Sequence, residues 1–111
     1  MVYKMKLVNF AFDEINKGNK DIEVRLNDEK RQLISVNDII EFTNVDTGEI
    51  VRTKVIGLHK FDSFSELFKL FPHYRLGLKD TDDESIMNNF YSLEEQEKYG
   101  ALGIEIKLLD R

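Results

Sequence analysis

Gly18-Asn19-Lys20-Asp21-Ile22-Glu23-Val24-Arg25 is the stretch on which the reading of this chain turns. The glycine suits the left-handed residue that ends a helix. The lysine then falls in a turn, and a strand begins at Asp21. Side chains alternate across a strand, so Ile22, Val24 and Leu26 share one face, and Asp21, Glu23 and Arg25 share the other. The first face is apolar and belongs against a core. The second is open to two readings. One is a solvated face with a single weak ion pair; the other is the wall of a site, with Lys20 reaching it from the rim of the turn.

Toward the N-terminus, residues 3–8 alternate as a strand, with Tyr3, Met5 and Leu7 on one face and Lys4 and Lys6 on the other. Asn9 is a suitable cap for a short helix over 10–17, whose Phe12 and Ile15 would face inward. Toward the C-terminus, Asn27-Asp28-Glu29-Lys30-Arg31-Gln32 is charge-dense: a solvated loop, or a basic lip formed by Lys30 and Arg31 beside Arg25. Asn37 suits a positive-φ turn within 35–38. Residues 39–44 read as a third strand. Asp46-Thr47-Gly48 reads as a hairpin loop, with a long partner strand over 49–58.

The next third is helical. Ser63 with Glu66, and Ser92 with Glu95, have capping-box spacing. They start helices running to Phe71 and Tyr99, ended by Pro72 and Gly100. Phe64, Leu67, Phe68 and Phe71 make one apolar face. Between these helices, 73–79 is irregular with a turn at Gly77. Asp80 to Asp83 would suit the N-terminal dipole of a helix over 82–90. A last strand over 101–109 carries Leu102, Ile104, Ile106 and Leu108 on one face.

Strand, helix, strand, hairpin, helices, strand is not the regular alternation of a doubly wound fold. The expectation is an α+β fold in a single domain over 1–111. It would be a small mixed barrel of about five to six strands, with a short helix after strand 1 and a helical insertion before the last strand.

A chain of 111 residues is long enough for one core, and eight Phe and four Tyr supply it. The net charge of −5 argues against a general phosphate-coating surface. A basic groove on an acidic body stays possible, and suits a compact ligand or short single strand better than long duplex. The absence of cysteine removes disulfides, thiolate zinc sites and a cysteine nucleophile. His59 and His73 lack the spacing of metal ligands, so neither a metal nor a cofactor is expected. No apolar run approaches a membrane span, and residues 1–6 do not read as a signal peptide. A soluble, cytoplasmic protein without membrane contact is the expectation.

Taken in order, these residues resemble the ASCH domain family, which has a PUA-like β-barrel fold. Gly18 to Arg25 fits the family's G-x-K-x-x-E-x-R signature. The resemblance continues through Arg31 and through Val36-Asn37-Asp38-Ile39-Ile40-Glu41-Phe42, where the family usually reads V-G-D before a strand. It then takes in Val55-Ile56-Gly57-Leu58-His59 and Gly103-Ile104-Glu105-Ile106. Asn37 stands in the usual glycine position. The resemblance implies binding of RNA or a nucleotide-like ligand in a cleft between barrel and helix, lined by Lys20, Glu23 and Arg25. One bacterial branch of ASCH-like proteins consists of amidohydrolases acting on N4-acetylcytidine. There the lysine is followed three residues later by a threonine, and a downstream carboxylate completes the set. Lys20 matches that lysine, but Glu23 occupies the place of the threonine. Asp80, Asp82 and Glu84 lie in the region of the carboxylate.

The expected ligand-binding residues are therefore Lys20, Glu23, Arg25, Lys30, Arg31 and His59, with Arg52 as a further rim charge. Arg25 offers a planar fork for a phosphate or a base edge, and Lys20 a point charge. Glu23 could accept from a base amine or orient Arg25. Tyr74, Tyr91 and Tyr99 could stack on bases, although tyrosines packed at the core edge are the commoner case. The candidate catalytic pair is Lys20 and Glu23. A desolvated lysine can act as base or nucleophile, whereas a carboxylate beside it favours the charged ammonium. Two alternatives to ligand binding stand: a metal-independent amidohydrolase on N4-acylated cytidine-type nucleosides or a ribonuclease, and a protein-interaction module in transcription or translation.

Overall fold

Five strands pair into one mixed sheet in the computed structural model, which describes residues 1–109. Asp110 and Arg111, the end of the expected 1–111 domain, lie outside the described residues. The strands are β1 (Val2–Leu7), β2 (Ile22–Leu26), β3 (Ile39–Asn44), β4 (Ile50–Phe61) and β5 (Ala101–Leu108). The helices are α1 (Asn9–Asn16), α2 (Phe64–Leu70) and α3 (Leu93–Tyr99). Shorter 3-10 turns cover Arg31–Leu33, His73–Leu76 and Glu84–Asn89. The strand order is β1-β3-β4-β5-β2, with β1 parallel to β3 and the other pairs antiparallel. The sheet curls into a half-barrel, and β1 and β2 are its two unpaired edges. Across the seam between them, the Arg25 guanidinium donates to the Lys6 carbonyl at 3.2 Å.

Two apolar clusters hold this sheet from opposite faces. Inside the curl, Phe12 and Ile15 of α1 pack on Ile40, Phe42, Val55, Ile104 and Ile106. Outside it, Phe64, Leu67, Phe68 and Phe71 pack on Ile22, Leu26 and Ala101. β5 is thus buried on both faces, which is why its sequence runs almost without polar residues. Gly103 permits this: a Cβ there would stand 3.3 Å from Ile22 Cγ2 and 3.4 Å from Leu67 Cδ1.

Most expected elements form, and the differences have local causes. Asn9 begins α1 instead of capping it; its N–H is held by Asp46 of the β3–β4 loop at 3.1 Å. Gly18 does take the left-handed conformation, and so does Asn37. β4 continues to Phe61, past its expected end at Leu58, because it stays paired with β5 as far as Ala101, across a register slip at Ile56. The slip turns Gly57, His59 and Phe61 onto the α2 side, where Phe61 joins the outer cluster. The helix expected over 82–90 is a 3-10 turn, capped by Asp83 through the Ser85 N–H.

Candidate functional site

A cavity of about 340 Å³ opens in the seam of the half-barrel. One wall is the end of β1 and the start of α1; another is β2; the third is the segment joining α2 to α3. Its lining is mostly apolar, with Leu7, Val8, Phe10, Val24, Leu78 and Met87 among the contributors. The charged residues in it are Lys6, Lys20, Glu23 and Arg25, so basic groups outnumber acidic ones by three to one.

Three of these charges form one buried cluster. Glu23 and Arg25 sit opposite Ile104 and Leu102 of β5, so the alternation of β2 turns both toward the inside of the curl. Glu23 is 4% exposed. Its Oε1 meets Lys20 Nζ at 3.0 Å and its Oε2 meets Arg25 Nε at 2.5 Å. Burial pushes the Glu23 carboxyl up, but Lys20 and Arg25 together outweigh it and hold the group below its usual range. Burial likewise pulls the Arg25 guanidinium down, and Glu23 more than reverses that.

Lys20 is 4% exposed. Besides Glu23, its ammonium donates to the Ile22 and Leu76 carbonyls, each at 2.8 Å. An ammonium has three donors, and all three are taken. The stem of Lys20 runs under Gly77, which has φ +71; a Cβ at Gly77 would overlap Lys20 Cδ. Lys20 is therefore not on the rim, as alternation alone implied, but pinned in the floor by the segment crossing over it.

Arg25 is differently placed. An arginine has five N–H donors. Glu23 and the Lys6 carbonyl take one each, and Tyr91 interacts with the same guanidinium. Five donors exceed these partners, and Arg25 lines the cavity.

The family model of the ASCH domain matches residues 5–110. The chain belongs to the ASCH domain family. Two solved structures are similar along their whole lengths. One is the crystal structure of hypothetical protein PH0355, a Pyrococcus protein, at 32% identity and a TM-score of 0.85. That match covers 98% of this chain and 100% of the other. The second is the solution NMR structure of protein PF0455 from Pyrococcus furiosus, at 29% identity and a TM-score of 0.78, covering 100% of both chains. No curated protein matches the chain. The α+β half-barrel with its helical insertion is thus the ASCH, PUA-like fold that the signature implied.

In this ASCH domain, the signature residues Lys20, Glu23 and Arg25 come together, and the other expected ligand residues do not join them. Arg31 is paired with Asp28 at 2.8 Å in the loop after β2, and neither it nor Lys30 lines the cavity. His59 faces the α2 side, where it meets Glu105 at 2.9 Å and the edge of Phe71. The slip at Ile56 moves it there. Arg52 pairs with Glu41 on the sheet surface at 3.4 Å. Asp80, Asp82 and Glu84 lie outside the cavity lining, which leaves Glu23 as its carboxylate. Of the tyrosines, Tyr91 lines the cavity with its ring stacked on Phe64, Tyr99 bonds Glu29, and Tyr74 is exposed. Among the described residues, no cluster of ligating side chains suits a metal, and no helix is long and apolar enough to cross a membrane.

Sequence reasoning missed Lys6, Phe10, Gly77 and Phe90 as parts of the site. Gly77 carried a signal, since a glycine in a turn can mark close approach of another chain segment. Phe10 and Phe90 carried none, because an isolated aromatic reads as core until its exposure is known.

Proposed function

We propose that this ASCH domain binds RNA or a nucleotide-like ligand by taking one base into the seam cavity, where Arg25 touches it. The observation that carries the reading is the state of Arg25. It is fixed on Glu23, has more N–H donors than Glu23 and the Lys6 carbonyl use, and stands in a mostly apolar lining. A planar fork among apolar neighbours suits the flat, polar-edged shape of a base. The cavity lies at the small end of ligand sites, which run from about 300 Å³ upward. That supports a single nucleoside-sized occupant rather than a duplex.

Lys20 and Glu23 act through Arg25 in this reading. A buried ion cluster is not needed for stability, since well-packed apolar groups do as well or better. Here it aims the guanidinium. The same geometry favours binding over amide hydrolysis. Glu23 is a weak base when two cations hold it ionised, and the Lys20 ammonium has no free donor or lone pair.

Calorimetric titration with nucleoside monophosphates and short RNAs tests this. Hydrogen bonds to a charged group contribute about 1.5–3 kcal/mol, so Arg25→Met should weaken binding about 10-fold or more, while Lys30→Ala and Arg31→Ala leave it unchanged. Equal affinity of wild type and Arg25→Met would overturn the proposal.

A further inference from the structure

The mouth of the seam cavity is aromatic and exposed. Phe10 and Phe90 both line it, yet they are 43% and 67% exposed, and Val8 beside them is 61% exposed. Large apolar groups gathered at one opening mark an interaction surface rather than ordinary surface scatter. The mouth is also basic. Lys79 Nζ stands 5.5 Å from the centre of the Phe10 ring, and Lys6 and Arg25 line the cavity behind it. Exposed rings interleaved with lysine and arginine suit one ligand chemistry above others: unstacked bases joined by phosphates.

Resting on the reading of the cavity above, we infer that its occupant is an internal nucleotide of a single strand, and that Phe10 and Phe90 are stacking platforms for the nucleotides flanking it. The cavity admits one base. A free nucleoside would leave Phe10 and Phe90 wet, whereas a strand threading the mouth covers both. Lys79 and Lys6 then meet the phosphates on either side of the inserted nucleotide. The short reach of this basic patch on a chain of net charge −5 suits a few nucleotides, not a long coated track.

Fluorescence titration with a short single-stranded RNA carrying 2-aminopurine at one position tests the assignment, alongside calorimetry with a nucleoside monophosphate. Stacking should quench the probe when it flanks the inserted base. Each of Phe10→Ala and Phe90→Ala should weaken RNA binding about 5-fold or more, as loss of one base–aromatic stack does, and weaken monophosphate binding by a distinctly smaller factor. Phe10→Tyr should restore the RNA affinity. The inference fails if the two phenylalanine variants lose monophosphate and RNA binding equally, or lose neither. It also fails if the variants instead abolish self-association or a protein contact while RNA binding persists. Failure of the cavity reading looks different: Arg25→Met would leave monophosphate binding intact whatever the phenylalanines do. Both phenylalanines are exposed, so thermal melts of the variants should match wild type and exclude unfolding as the cause.

Discussion

Gly77→Ala is the substitution that most directly tests how the site is held together. Gly77 has φ +71, and a Cβ on it would overlap Lys20 Cδ. The backbone term is the ordinary cost of a left-handed non-glycine residue, about 1–2 kcal/mol. The packing term is larger. Lys20 cannot sidestep, because its ammonium is tied to Glu23 and to the Ile22 and Leu76 carbonyls. Expelling it leaves Glu23 buried with one cation in place of two, and breaking a buried pair in this way costs about 3–5 kcal/mol. Gly18 provides the control. It has φ +83, and a Cβ on it meets nothing within 4 Å. Gly18→Ala should therefore show the backbone term alone, and Gly77→Ala about 3 kcal/mol more. With a typical urea dependence of about 1–3 kcal/mol per molar, the two unfolding midpoints should differ by about 1 M or more. A double-mutant cycle sharpens the test: in a Lys20→Ala background the obstacle is gone, and Gly77→Ala should fall back to the backbone cost. Coincident midpoints for Gly18→Ala and Gly77→Ala would refute the reasoning.

Further expectations concern the same network and its supports. The Glu23 carboxyl is held below its ordinary value of 4.5, so its stabilisation is complete above about pH 4.5 and fades as pH falls through the lower folded value. Urea midpoints measured from about pH 7 down to about pH 3 should show that loss in wild type and a flatter profile in Glu23→Gln. Gly103→Ala places a methyl 3.3 Å from Ile22 and 3.4 Å from Leu67 under α2, and should destabilise by about 1–3 kcal/mol in the same assay. Gly57→Ala meets only the side chains of Glu105 and His59, which can swing away, and should stay within about 1 kcal/mol. Ser92 and Glu95 form a complete capping box at α3, so Ser92→Ala should lower stability by about 1 kcal/mol, read as a fall in melting temperature.

Much of the fold was legible because its signals are local. Gly18 and Asn37 mark positive-φ turns, the two Ser-x-x-Glu boxes start helices, and alternation places Glu23 with Arg25. Alternation left one point open. It assigns faces but not depth, so the Glu23 face could be a solvated face or the wall of a site, and the structure buries Glu23 on the inner side of the curl. The position of Lys20 depends on Leu76 and Gly77, far away in the chain, and no local pattern announces that crossing. His59 was placed near the cleft because nothing in the sequence reveals a register slip at Ile56. The aromatic mouth was illegible for a related reason: Phe10, in the first turn of α1, and Phe90, just past the 3-10 turn Glu84–Asn89, are set at a cavity by contacts distant in the chain.

β2 has a single hydrogen-bonded neighbour, β5, which is the last strand of the sheet in chain order. A growing polypeptide can pair β1 with β3 and β3 with β4 while β5 is still unmade. β2 must wait for roughly 75 further residues, several seconds at about 5–20 residues per second. Until β5 forms, Glu23 and Arg25 lack the strand that shelters them, and for most of the interval Lys20 also lacks the Leu76–Gly77 segment that covers it. Stalled nascent chains ending before Ala101 should thus carry much of the barrel and none of the binding proposed for it. The buried charge cluster is thus among the last parts of the fold to close, completed only once β5 has emerged and drawn β2 against it.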